Sequence, residues 1–214
     1  MRKLIIFIHG WGNSSKSFRL ITKALGDEYD ALLIDYKTKD LKDFDELIKP
    51  IEEQISEREE NYDSLTFIGH SFGGVISRFL IQKFPEKTKQ LVTLGSPHKG
   101  ALFVDFMKQN KFLKNKLDEM ATLLSPDSKL IKTIPDVPEH VEVICFSGVK
   151  KFSFFHSPSY ISWIFHDKSV THDGMITIEE SIIENSKHYI VRENHAKLPL
   201  NKEVYEIIKK EILN

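Results

Sequence analysis

The sequence predicts an α/β fold: a doubly wound, mostly parallel sheet of six strands with a helical insertion after the fourth. Three observations predict it. Short apolar runs at Leu4 to Ile8, Ala31 to Ile34, Leu65 to Ile68, Leu91 to Leu94, Val141 to Phe146 and His188 to Val191 are separated by stretches of helical periodicity. Strand alternating with helix makes a parallel sheet covered on both faces. Runs such as Leu65 to Ile68 are continuous rather than alternating, as strands buried on both sides require. The third run passes through Gly69-His70-Ser71-Phe72-Gly73 directly into a helical pattern, a junction whose glycines permit a very tight turn.

The elements follow in order. After the first run and the loop His9-Gly10-Trp11-Gly12, Phe18, Ile21 and Leu25 share one helix face, with Gly26 as the stop. Phe44 to Ile55 also reads helical, and Pro50 must either kink it or begin a second helix. Val75, Ile76, Phe79 and Leu80 recur at helical spacing until Phe84-Pro85. Ala101 to Ile134, the insertion, is Lys-rich with Leu102, Phe103, Phe106, Met107, Phe112, Leu113 and Leu117 interspersed. It reads as two or more short helices with a solvated lysine face, and as a candidate lid over the strand ends. A loop over 149–172 is dense in aromatics, among them Phe154 and Trp163. It is either a satellite core under a long loop or a wall of an apolar cleft. Asn201 can cap a last helix whose Val204, Ile207, Ile208 and Ile212 form the buried stripe.

No linker or change of composition divides the 214 residues, so the chain reads as a single domain, 1–214. A net charge of -1 and a pI near 6.8 give no electrostatic reason to expect nucleic acid or an anionic membrane as partner. The lone cysteine, Cys145, lies in an apolar run and reads as a buried strand residue. Met1-Arg2-Lys3 precedes an apolar run of only five residues, too short for a signal core or a bilayer span. The expectation is a cytoplasmic protein without a transmembrane segment.

The strand, tight turn and helix around Ser71 have the form of a nucleophile elbow. A serine hydroxyl needs a base within hydrogen-bond reach and a third group to hold that base. In a doubly wound sheet such groups must lie at the carboxyl ends of the strands. His188 and His140 stand at the wrong ends of their strands, and His70 is expected to point away from Ser71 on so tight a turn. His195, just past the last strand, is the candidate base. His156, His166 and His172 lie in the loop after the fifth strand and stay open by position. For the acid, Asp173 is preferred to Asp167 because Gly174 follows it in a turn back to the body. Charge developing on a carbonyl oxygen needs N–H donors. The candidates are the backbone amides of Phe72, at a helix N-terminus, and of Trp11, in the loop after the first strand. A phosphate-loop reading of Gly10 to Ser17 fails because Ser15 stands where that motif requires glycine.

Four stretches together resemble the lipase and esterase branch of the α/β-hydrolase superfamily in a compact form. They are His9-Gly10-Trp11-Gly12, Gly69-His70-Ser71-Phe72-Gly73-Gly74, Gly95-Ser96-Pro97-His98-Lys99-Gly100, and Asp173-Gly174-Met175-Ile176 before His195. The chain begins directly at the strand that carries the oxyanion loop, and the gap before Asp173 is longer than a minimal version needs. The order Ser, Asp, His is also the superfamily's. The resemblance implies a serine hydrolase acting on a small-molecule ester or lipid, with Ser71, His195 and Asp173 as its triad and no metal or organic cofactor. It also implies that His98 lines the cleft; with Phe154 and Trp163 it is a candidate substrate-binding residue. Thioesterase, peptidase and acyltransferase chemistry use the same machinery, and a catalytically silent binding protein is the non-enzymatic alternative.

Overall fold

Six parallel strands form where the six apolar runs lie: β1 (Lys3–Ile8), β2 (Asp30–Ile34), β3 (Ser64–His70), β4 (Thr88–Leu94), β5 (Glu142–Gly148) and β6 (Lys187–Val191). A computed structural model describes residues 2–38, 41, 43–150 and 170–213. The strand order is β2-β1-β3-β4-β5-β6, and every neighbouring pair is parallel. The chain runs outward from β1 to β2, then crosses back to β3 on the other side of β1. That reversal opens a crevice between the carboxyl ends of β1 and β3, where an α/β sheet binds its ligands.

Side-chain alternation divides the core into two layers. Leu4, Ile6, Ile8, Leu65, Phe67 and Cys145 face α2 (Phe44–Glu59) and α3 (Phe72–Leu80). Ile5, Phe7, Ile68, Val92, Ile144 and Phe146 face the opposite layer, which contains Ile21 and Leu25 of α1 (Arg19–Leu25) and Val204, Ile208 and Ile212 of the C-terminal helix, Lys202–Leu213. Each such side chain taken fully out of water contributes about 1.5–3 kcal/mol. Cys145 is buried, as its sequence context predicts.

Local signals account for the helix boundaries. α1 ends at Gly26, whose φ of 72° favours glycine. The Asp43 side chain accepts from the Glu46 N–H at the start of α2, and that helix continues through Pro50 to Glu59 as one element rather than two. Asn201 Oδ1 accepts from the Val204 N–H at 3.3 Å, the cap expected for the last helix. The insertion folds into α4 (Leu102–Gln109), a 3-10 turn (Lys114–Lys116), α5 (Glu119–Thr122) and α6 (Lys129–Lys132). Among the described residues no helix is long and apolar enough to cross a membrane.

Candidate active site

Ser71 occupies the turn between β3 and α3 with φ 54° and ψ -123°. Among the described residues only Asn185 is a second non-glycine with positive φ. Such a conformation persists only where the surroundings over-determine it. Here the Ser71 N–H donates to Leu94 O at the end of β4 (2.9 Å), and Ser71 O accepts from the Gly74 N–H (3.0 Å). A Cβ on Gly73 would fall on Ile8 O, so α3 can press against the end of β1 only because that residue is glycine.

Asp173 and His195 are joined twice. Asp173 Oδ2 lies 2.7 Å from His195 Nδ1, and the His195 N–H donates to Asp173 O at 2.9 Å. The other carboxylate oxygen accepts from the Met175 and Ile176 N–H groups at 3.0 and 2.8 Å. Both carboxylate oxygens are therefore occupied in a residue only 1% exposed, which fixes the imidazole plane. The turn that presents Asp173 also uses His172, whose Nδ1 accepts from the Gly174 N–H at 3.0 Å. His172 is thus part of the turn that presents Asp173. Asp167, His156 and His166 lie outside the described residues.

Two glycines supply the space for this pair. A Cβ on Gly95, at the end of β4, would lie 2.9 Å from Asp173 Oδ2 and 3.1 Å from His195 Nδ1. One on Gly148, at the end of β5, would lie 2.7 Å from Asp173 Cβ and would collide with Glu193 O. The requirement at Gly148 is invisible in the sequence, where it is an ordinary strand-terminal glycine.

His70 corrects an expectation. It faces the same cavity as Ser71, its Nε2 lies 3.0 Å from His195 O, and its ring is 4.9 Å from that of His195. The tight turn rotates Ser71 outward but leaves His70, the last residue of β3, directed along the sheet edge toward the loop after β6. The alternation of a strand that ends at His70 was the available signal.

The loop after β1 forms the opposite wall. The Tyr36 N–H donates to His9 Nε2 at 3.3 Å, so the imidazole proton sits on Nδ1, which donates to Gly10 O at 2.8 Å. Tyr36 also donates its hydroxyl to His9 O (2.6 Å) and stacks on the ring at 4.2 Å. Burial lowers the His9 pKa, against the hydrogen bond to Gly10 and the charge of Asp35, and favours this neutral form. With Gly10 O held and the peptide trans, the Trp11 N–H points the other way. The Trp11 indole N–H donates to Asp118 Oδ2 at 2.8 Å, and that carboxylate also accepts from Thr38 Oγ1 and the Ala121 N–H. Asp118 therefore ties the loop to the insertion.

Ser71, His70, His195, Gly10 and Trp11 open on one cavity of about 460 Å³, whose remaining walls include Phe103, Val104, Leu117, Leu124, Met175 and Ile176. The apolar side of the insertion thus covers the strand ends. Among the described residues Ser71 Oγ and His195 Nε2 share this cavity without a hydrogen bond between them, as is common before a substrate is bound. A larger groove of about 700 Å³ along α2 and α3 contains none of these groups. Among the described residues no cluster of His, Cys, Asp and Glu is arranged to hold a metal ion.

His98 is the second correction. It does not line this cavity: the His98 N–H folds back to Ser96 O, Pro97 takes the wall position, and the imidazole is 3% exposed in a separate pocket with Arg78. Neither ring nitrogen has a hydrogen-bond partner among the described residues. Burial, reinforced by Arg78, holds its pKa well below the ordinary histidine value. Phe154 and Trp163 lie outside the described residues.

Residues 4–146, well over half of the chain, match a family model described as palmitoyl protein thioesterase. The chain belongs to that family. In structure this family member is similar to the mature form of a lipase from Bacillus licheniformis, with a TM-score of 0.78 at 17% identity, covering all of this chain and 92% of the other. In sequence it is similar to a bifunctional biotin biosynthesis protein of Teredinibacter turnerae, 29% identical over 105 residues, and to a triacylglycerol lipase of Pseudarthrobacter phenanthrenivorans, 39% identical over 44 residues. These matches take in 44% and 21% of this chain, and they span 17% and 14% of the two relatives. The sheet and flanking helices of this chain are the α/β-hydrolase fold of lipases and esterases.

Proposed function

We propose that the protein is a serine hydrolase that cleaves carboxylic esters with an apolar acyl part through an acyl-enzyme. The observation that carries this reading is the doubly bonded Asp173–His195 pair beside Ser71 on its strained elbow, in one apolar cavity. Ser71 Oγ attacks the ester carbonyl while His195 Nε2 takes its proton. Asp173 holds the Nδ1–H and stabilises the imidazolium that forms. The N–H groups of Phe72 and Trp11 receive the oxyanion. As the tetrahedral intermediate collapses, His195 returns the proton to the leaving alcohol. Water, deprotonated by the same imidazole, then releases the acid and restores Ser71. No step calls for a metal or an organic cofactor.

Thioesters are the second reading, favoured by the family to which residues 4–146 belong. A thiolate leaves more easily than an alkoxide and needs less help from His195 as an acid, so the same groups suffice. The test has two parts. A fluorophosphonate should label Ser71 and leave Ser71→Ala unlabelled. Matched oxygen-ester and thioester series of increasing acyl length should then show saturable turnover that rises with chain length before reaching a limit. Absence of labelling in the folded parent protein would overturn the reading.

A further inference from the structure

The net charge of -1 conceals a local imbalance. From Phe106 to Leu117 the insertion carries Lys108, Lys111, Lys114 and Lys116 and no carboxylate. All four lysines are exposed, and none forms an ion pair among the described residues. At their centre Phe112 stands 90% exposed, with its backbone N–H tied to Asn110 Oδ1. The carboxylates that flank this stretch are largely occupied elsewhere. Asp105 accepts from Ser125, Asp118 holds Trp11 and Thr38, and Asp127 pairs with Lys132. Glu119 is the exposed exception.

An aromatic ring held in water among long cationic side chains matches an anionic bilayer surface. The ring enters the headgroup boundary, and the lysines lay their methylene stems along apolar surface while their ammonium groups meet phosphate. We propose that residues 108–116 are a docking surface for an anionic lipid bilayer. Charge complementarity argues for this occupant, and the exposed ring argues for a surface with an apolar interior rather than for a wholly polar one. Phe103, Val104 and Leu117 of the same insertion line the cavity beside Ser71, so docking places the machinery next to lipid-borne acyl groups. The proposal concerns binding and stands apart from the chemistry assigned to Ser71.

Sedimentation of the full chain with large unilamellar vesicles tests it. Binding is expected to vesicles with about 30% phosphatidylglycerol and not to pure phosphatidylcholine, since each lysine near an anionic surface is worth about fivefold in affinity. It should weaken as salt rises from about 0.05 to 0.5 M, because the Debye length shortens. Replacing all four lysines by glutamine should lower the vesicle partition at least about tenfold, and Phe112→Ser should lower it by roughly the same factor. Both variants should keep the parent's turnover of a short soluble ester. Ser71→Ala should bind vesicles like the parent, which separates this proposal from the catalytic one. Equal binding to neutral vesicles, indifference to salt, or unchanged partition in the variants would overturn it. So would binding of soluble polyglutamate without binding of vesicles, which would mark the partner as an acidic protein surface.

Discussion

Among the described residues, the serine–histidine neighbourhoods of Ser147 and of Ser71 differ in instructive ways. In one, Ser147 Oγ near the end of β5 lies 2.7 Å from the half-buried His188 Nε2 and 2.6 Å from the buried Ser181 Oγ, so its bonds are filled. In the other, Ser71 and His195 face a cavity with no bond yet between them, but His195 is fixed to Asp173 and Ser71 sits in a strained turn. Under the proposed mechanism the serine assigned the chemistry is thus not the one already bonded to a histidine. Ser147 has its bonds taken up by its neighbours, whereas Ser71 has strain, an oriented imidazole and a cavity in front of it. One arrangement lowers the energy of the folded state, and the other leaves bonding capacity for a reacting group.

The largest expected effect separates the two serines. Ser71→Ala should lower ester turnover by roughly four to six orders of magnitude without changing the melting temperature. Ser147→Ala should leave turnover within about twofold. Because it removes the partner of His188 Nε2 and one of the two bonds of Ser181 Oγ, which keeps Ile178 O, it should cost about 1 kcal/mol, read as a few degrees in Tm. Comparable turnover in the two variants would erase the distinction.

Asp173→Asn comes next. The amide can still accept the backbone N–H groups of Met175 and Ile176, but it presents the wrong partner to His195 Nδ1. A loss of about three to four orders of magnitude in kcat with an intact fold is expected, and steady-state kinetics with circular dichroism would check both. Gly148→Ala should act more gently. Its methyl group meets Asp173 Cβ and Glu193 O, and displacing the acid–base pair by a fraction of an ångström should cost about 10- to 100-fold in kcat. An unperturbed kcat would show that the backbone can yield there.

The smallest effect lies in stability against pH, away from the reactive pair. Burial lowers the pKa of His188, His9 and His98, so the native state resists protonation where the unfolded chain accepts it. Near pH 6.5 and below, the unfolded state then binds more protons, and stability falls on acidification by on the order of 1 kcal/mol per pH unit for each imidazole that stays neutral. Glu180 has the opposite sign: burial raises its pKa, so it favours the fold at acid pH and loses that contribution as pH rises above about 4.3. Thermal melts from pH 7.5 to 5 on the parent and on His98→Leu should show the shallower slope in the variant. Identical slopes would mean that His98 is not held neutral.

The sequence by itself determined the six strands, their alternation with helices, and the placement of Ser71, Asp173 and His195 after strand ends. Those features rest on local periodicity, turn chemistry and chain order. Only the tertiary structure decided which way side chains leave the crowded sheet edge. It turned His70 toward His195, buried His98 behind Pro97, and joined Trp11 to Asp118 across the insertion. It also made Gly95 and Gly148 the clearance around the bonded Asp173 and His195. These contacts link residues as many as 125 positions apart. They depend on how loops stack at the carboxyl ends of the strands, where no repeat in the sequence marks the direction of a side chain.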